Sequence, residues 1–245
     1  MKQSDFDIIT NKQIARDTYS VTLHGDCGPI TAPGQFVNVA LEGRYLRRPF
    51  SVCALSGDVL MLVYKVVGEG TAQLSRLRPG TGLNLLTGLG NGFSVGESVK
   101  RPMLIGGGAG AAPLYWLAQV LLERGAEVAA VLGFKSADEM FLAAELARLG
   151  VKVFVSTEDG STGVTGYVTD ALRLSKIGYD YVYACGPEPM LRAVHEQATT
   201  DGQYSFESRM GCGFGACLSC TCETKYGLRR ICKDGPVLYR EEIRW

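Results

Sequence analysis

The chain has 245 residues, 46% of them hydrophobic, and 25 basic side chains balance 25 acidic ones. A neutral balance gives no electrostatic ground for nucleic acid or an anionic membrane as partner, and Arg47-Arg48 and Arg229-Arg230 are too short to make a basic tract. No apolar run is long enough to span a bilayer and the opening MKQSDFDIITN has no apolar signal core, so a cytoplasmic protein is expected, in which eight cysteines predict metal or redox chemistry over structural disulfides.

Residues 1–99 read as short strands between turns: YSVTLHG, QFVNVAL, FSVCAL and VLMLVYKVV are rich in Val, Leu, Phe and Tyr and are separated by Gly, Pro and Asp. That texture predicts an antiparallel β-barrel or sandwich. One helix is expected, Thr71 to Leu77, stopped by the following RPG.

Two stretches of this unit suit a flavin. In RRPFS a rigid Pro49, a bulky Phe50 and a small Ser51 can line a ring, while Arg48 can neutralise a phosphate. In VYKVVGEGTAQL, after Val63, Tyr64 and Lys65, Gly68 and Gly70 allow close backbone approach, and Thr71 starts a helix whose N-terminus would face an anion. Against this stands the plainer reading, an Arg pair on a solvated strand edge. GLGNGF, Gly88 to Phe93, is either a third cofactor turn or hairpin punctuation.

The period changes near residue 100. MLIGGG is a strand running into glycines, APLYWLAQVLLERG a helix ending at Gly125, and EVAAVLGF a second strand. SADEMFLAAELARLG predicts a helix with a capping box from Ser136 to Glu139 and a stop at Gly150. VKVFVS and YDYVYAC are further strands, and EPMLRAVHEQA a further helix. Strands alternating with helices predict an α/β doubly wound sheet over residues 100–202. In IGGGAGAAP the glycines Gly107, Gly108 and Gly110 stand between strand and helix, where a dinucleotide pyrophosphate sits. The pattern is not G-x-G-x-x-G, since Pro113 occupies the third glycine position. In CGPEPM, Cys185, Gly186 and Pro187 end the last strand, at the edge where such sheets bind ligands. Lys135 after the second strand can tolerate a 2′-phosphate or be a plain surface lysine, so NAD and NADP both stay open.

Residues 203–245 form a small unit rich in Gly and Cys, too short for a core of its own without a metal or staples. Cys212, Cys217, Cys220 and Cys232 give C-x4-C-x2-C-x11-C, and the first three match the plant-type [2Fe-2S] spacing. Gly211, Gly213 and Gly215 let the loop bend its N–H groups toward the sulfurs. A tetrahedral zinc site is the competing reading, although zinc sites usually carry two C-x2-C knuckles and this chain has one. Cys222 is expected beyond the loop in a structural role, and Cys27, Cys53 and Cys185 as buried apolar residues.

The order RPFS, GEGT, GGGAGAAP, CGPEPM resembles the ferredoxin-NADP reductase superfamily over residues 1–200. With the terminal GCGFGACLSC…CKDGP, the whole chain resembles the electron transfer subunits of class 1B dihydroorotate dehydrogenases. The resemblance implies a β-barrel FAD domain, an α/β NAD domain and a C-terminal [2Fe-2S] domain. It implies FAD contacts at Arg48, Pro49, Phe50, Ser51, Val63, Tyr64, Lys65, Gly70 and Thr71, and cluster ligands Cys212, Cys217, Cys220 and Cys232. It also implies a separate FMN-containing catalytic subunit that oxidises dihydroorotate in pyrimidine synthesis, assembled two and two. The chain departs from the family in reading TGLGNGF for GPLGNGF.

Nicotinamide exchanges a hydride and a cluster exchanges one electron, so a flavin, which does both, belongs between them. No side chain is expected to act as a catalytic acid or base, His24 and His195 included, and Ser51 is expected near flavin N5. The alternatives are a related flavin and iron–sulfur reductase subunit of sulfide dehydrogenase, ferredoxin:NADP oxidoreductase or hydrogenase type, and a regulatory zinc or redox protein.

Overall fold

The computed structural model describes residues 1–245. β1 (Lys2–Ala15), β2 (Thr18–Gly25), β3 (Phe36–Val39), β4 (Arg48–Ser56), β5 (Val59–Lys65) and β6 (Gly82–Leu89) close into an antiparallel barrel in the order β1-β2-β5-β4-β3-β6. Alternation does the sorting: Leu60, Leu62 and Tyr64 of β5 point into the barrel core with Phe6, Val21 and Leu85, while Met61 and Val63 point outward. The first strand pairs with both β2 and β6 and so closes the ring. Its charged and polar sequence hides this, because one face of a barrel strand is solvated.

Helix α1 (Glu69–Leu74) begins and ends earlier than the sequence predicts. Arg76 and Leu77 continue only in tighter turns, donating to Gln73 and Leu74 carbonyls, as the approach to Pro79 disfavours a further α-turn.

The second unit is a mostly parallel sheet of β7 (Pro102–Gly107), β8 (Ala129–Phe134), β9 (Lys152–Thr157), β10 (Val164–Thr165), β11 (Tyr181–Cys185) and β12 (Gly202–Ser205). Its order is β10-β9-β8-β7-β11-β12, so the direction of winding reverses between β7 and β11. All six residues of β7 are buried, as expected for a strand covered on both faces. Helix α2 (Ala111–Glu123) packs on one face, and α4 (Val168–Ser175) and α5 (Glu188–Gln197) cover the other.

The single helix predicted from Ser136 to Gly150 is replaced by a 3-10 turn at Ala137–Glu139 and a short α3 (Ala143–Arg148). Ser136 makes no cap bond. Glu139 instead accepts from Lys65 Nζ at 2.6 Å and Arg16 Nη2 at 2.5 Å, two cations of the barrel. Phe141 and Leu142 turn into the core, and Leu142 takes φ +63° to do so. Inter-unit contacts thus outweighed a local helix signal.

The tail carries a hairpin, β13 (Thr221–Thr224) with β14 (Gly227–Arg230), one helical turn α6 (Ile231–Asp234), and β15 (Val237–Tyr239). The last strand pairs antiparallel with β12, Ser205 opposite Val237, and extends the sheet. No helix is long and apolar enough to cross a membrane.

Candidate functional site

The predicted residues fall into three groups. The first surrounds the start of β4. Arg48, Pro49, Phe50 and Ser51 lie opposite Val39, Asn38, Val37 and Phe36 of β3. Arg48 reaches the first turn of α1: a Cβ on Gly70 would stand 2.7 Å from its Nε. Thr71 Oγ1 accepts from the Val67 and Gly68 N–H groups at 2.9 and 3.2 Å and braces that turn. The two glycine- and arginine-bearing stretches therefore converge, and an anion there would meet a guanidinium and free backbone N–H groups. Lys65, at the end of β5, is held by Glu139. Burial works against the Glu139 charge, but Lys65 and Arg16 outweigh it and keep its pKa below the usual range. Val63 faces the second unit. Tyr64 points into the barrel core, 2% exposed, and donates to Asn11 Oδ1 at 2.9 Å. What it presents to the outer wall is backbone.

The second group lies at the carboxyl ends of β7 and β11, where the winding reverses. Open α/β sheets bind ligands at such a point. Gly110 is pressed against the other strand, and a Cβ there would stand 2.1 Å from the Cys185 carbonyl oxygen. Gly107 leaves no more room, its virtual Cβ lying 2.4 Å from Met190 Sδ. Gly186 takes φ +155° and Gly108 φ +52°. Burial pushes the Cys185 thiol up to about 12, so it is neutral and unreactive. Pro113 is buried in the first turn of α2, and Lys135 is exposed beyond β8.

The third group is the thiol-rich loop, and its sulfurs form two pairs. Cys212 and Cys217 adjoin: the Cys212 N–H donates to Cys217 Sγ at 3.4 Å, and Phe214, Ala216 and Cys217 N–H groups donate to Cys212 Sγ at 3.5, 3.2 and 3.5 Å. Cys220 and Cys232 adjoin likewise, the Cys232 N–H donating to Cys220 Sγ at 3.4 Å. Gly213 (φ +77°) and Gly215 (φ +91°) make the bend that turns these N–H groups inward. The Ser219 hydroxyl, with backbone N–H groups, draws the Cys217 thiol down to about 6. At Cys232 burial and the Cys220 sulfur push the thiol up to about 12.

These donors fit a two-iron cluster. A [2Fe-2S] rhomb takes two thiolates at each iron, and the chain offers two pairs, with N–H donors aimed at the sulfurs. Zinc, which gathers its ligands at one centre, suits the arrangement less. Cys222 sits on β13 opposite Arg229, half-buried, and makes no hydrogen bond to the other sulfurs. His195 packs its ring against Tyr204 and Trp245.

Sequence reading missed the residues that hold these groups to one another. Asn91, inside GLGNGF, donates from Nδ2 to the Val237 carbonyl at 2.8 Å, and its Oδ1 accepts the Val237 N–H at 3.1 Å. Its own N–H donates to Gly235 O at 2.7 Å. That turn grips the tail just after Cys232. Arg230 joins the loop to α6, donating to Gly215 O at 3.2 Å and to both Asp234 oxygens at 3.0 and 3.2 Å. Asn38 donates to the Cys212 carbonyl at 3.3 Å. The only signal for Asn91 was its place among turn glycines; Asn38 gave none.

Residues 207–244 match the family model described as the iron-sulfur cluster binding domain of dihydroorotate dehydrogenase B, and residues 104–196 match the oxidoreductase NAD-binding domain. A Geobacillus sp. (strain WCH70) protein named dihydroorotate dehydrogenase B (NAD(+)), electron transfer subunit is 40% identical, with 99% of each chain covered. Its namesake from Fusobacterium nucleatum is 38% identical over the same shares. Among solved structures, the NADH-dependent reduced ferredoxin-NADP oxidoreductase superposes with a TM-score of 0.88 at 28% identity, covering 98% of this chain and 90% of its own. A ferredoxin NADP+ reductase from Neisseria gonorrhoeae shares the fold at TM-score 0.69 and 16% identity, covering 80% of this chain and 90% of its own.

Proposed function

This chain belongs to the family of dihydroorotate dehydrogenase B (NAD+) electron transfer subunits, and from that membership we propose how its residues divide the work. It is an oxidoreductase subunit that passes electrons to NAD+ in pyrimidine biosynthesis, with FAD, a [2Fe-2S] cluster and NAD as its redox groups. A catalytic subunit is its partner. In our reading that partner carries FMN, oxidises dihydroorotate to orotate, and assembles with this chain two and two in the cytoplasm. When bound, nicotinamide supplies hydride exchange, the cluster single-electron exchange, and the flavin both.

Residues 1–99, 100–202 and 203–245 serve as the flavin, nucleotide and cluster units. Arg48 and the Gly68–Thr71 turn hold the FAD diphosphate, and Pro49, Phe50, Ser51 and the Val63–Lys65 backbone line its ring. Gly107, Gly108 and Gly110, with Cys185, Gly186 and Pro187, receive the dinucleotide, and their lack of bulk lets it approach the backbone. Cys212, Cys217, Cys220 and Cys232 hold the cluster. Phe214 and Leu218, exposed by 43% and 61%, flank the exposed Cys217. They offer the catalytic subunit an apolar contact beside the cluster. No acid or base is needed in this chain, whose task is to hold the groups close and dry.

One observation carries the reading: the cysteine tail lies on the outer wall of β3, one strand from RPFS. Phe36 of β3 packs in the same apolar cluster as Cys220 and Cys232, and the same strand pairs with β4. The test is an anaerobic mixture of the purified chain, an FMN-type dihydroorotate dehydrogenase catalytic subunit, dihydroorotate and NAD+, followed at the NADH absorbance. NADH formation that requires both proteins is expected. A chain that oxidises NADH with an artificial acceptor yet makes no NADH in the mixture would instead be a reductase of the ferredoxin:NADP type, the reading that full-length likeness to such a structure favours second.

A further inference from the structure

On the outer face of β3, Phe36 and Asn38 stand side by side, while Val37 and Val39 point into the barrel. Phe36 shares an apolar cluster with one thiol pair, and Asn38 bonds the backbone of the other. Phe36, 3% exposed, shares an apolar cluster with Cys220, Ile231 and Cys232. Asn38, 2% exposed, donates from Nδ2 to the carbonyl of Cys212, and Gly213 lies so close that a Cβ would stand 1.9 Å from that nitrogen. On the other side, Phe36 is opposite Ser51 and Asn38 opposite Pro49. Directly opposed residues of an antiparallel pair share a face. The outer face of β3 therefore adjoins the cysteine loop and the RPFS strand at once.

We infer that Asn38 is a positioning residue for electron transfer between cluster and flavin: its amide anchors the Cys212 peptide to the strand that pairs with RPFS. The inference rests on the function proposed above.

An amide is an expensive choice here. Asn38 Oδ1 is buried with no hydrogen-bond partner, and a buried polar atom left unpaired costs stability that a leucine of similar size would not. What leucine cannot do is hold a carbonyl. The Cys212 carbonyl is drawn toward the barrel, and the peptides that follow turn their N–H groups to Cys212 Sγ, from Phe214, Ala216 and Cys217. Releasing the carbonyl lets those peptides rotate. N–H groups aimed at cluster sulfurs favour the reduced, more negative cluster. Their loss shifts the potential down and loosens the tie to β4. The anchor is itself fixed, because Arg47 Nη1 donates to the Asn38 and Asn84 carbonyls at 3.3 and 3.1 Å.

The experiment compares the purified full chain, carrying FAD and cluster, with its Asn38→Leu variant. It measures iron content, the electron paramagnetic resonance spectrum and midpoint potential of the reduced cluster, and the rates at which excess NADH reduces first the flavin and then the cluster. The expected variant keeps its iron, shows altered g-values and a more negative potential, and reduces its flavin at the wild-type rate. Its cluster is reduced slower by about tenfold. Should the Leu variant lose its iron, Asn38→Val, smaller, uncharged and without a donor, decides by the same readings. Wild-type g-values, potential and cluster rate would overturn the inference, as would loss of iron in both variants or slowed flavin reduction. None of these readings uses dihydroorotate or a partner. A wild-type chain with no [2Fe-2S] spectrum would instead sink the function reading on which the inference rests.

Discussion

Cys185 and Cys217 sit in two glycine-rich turns of the same chain and are opposite in chemistry. Cys185 is sealed under the nucleotide edge, with its thiol pushed up to about 12 by burial. Cys217 is exposed, and the Ser219 hydroxyl with nearby N–H groups draws it down to about 6. The glycines differ in the same way. Gly110 is needed because a strand backbone occupies the place of a side chain, whereas Gly213 and Gly215 take left-handed conformations to aim N–H groups. One turn is finished by the packing of a sheet; the other is finished by the metal it holds.

The hardest test of that contrast removes one sulfur from each region. Cys217→Ser should abolish the cluster, read as loss of its visible absorbance and its iron, while Cys185→Ser should keep both. Cys222→Ser should also keep the cluster, and loss of absorbance in that variant would overturn the ligand set.

A milder lesion addresses the sheet side. Gly110→Ala places a methyl group against the Cys185 carbonyl and must part β7 from β11. Overpacking of that kind costs about 1–3 kcal/mol, so the denaturation midpoint should fall and the KM for NADH should rise while the cluster spectrum stays unchanged.

The smallest effect is one of pH. In the chain stripped of iron, Cys217 should react with iodoacetamide as its thiolate, the reacting form, which accumulates as pH rises through about 6. Modification, read by mass spectrometry, should therefore increase between pH 5 and 7. Cys185, protonated across that range, should stay unmodified until the sheet is unfolded.

The strands of the barrel and sheet, the glycine edge and the thiol loop were legible because each is written locally. Alternating apolar residues, glycines between strand and helix, and cysteines at fixed spacing constrain a few consecutive residues. β1 was not legible, since its outer face is polar, and α4 was passed over in a turn-rich stretch. The helix expected over Ser136 to Gly150 failed for the opposite reason: its capping glutamate was better satisfied by Lys65 and Arg16, seventy and more residues away.

Local chemistry in the chain marks the residues to which the proposed reading assigns each group: a guanidinium and a glycine turn for a diphosphate, a glycine edge for a dinucleotide, four thiols for a cluster. Their mutual placement came from contacts between residues far apart. Asn91 closes on Val237, 146 positions away, and Asn38 on Cys212, 174 positions away. Neither asparagine carries a local pattern, because a buried amide acquires its role only from the carbonyl that folding brings to it. Electron transfer depends on those distances, so the ligands could be read along the chain and the path between them only across it.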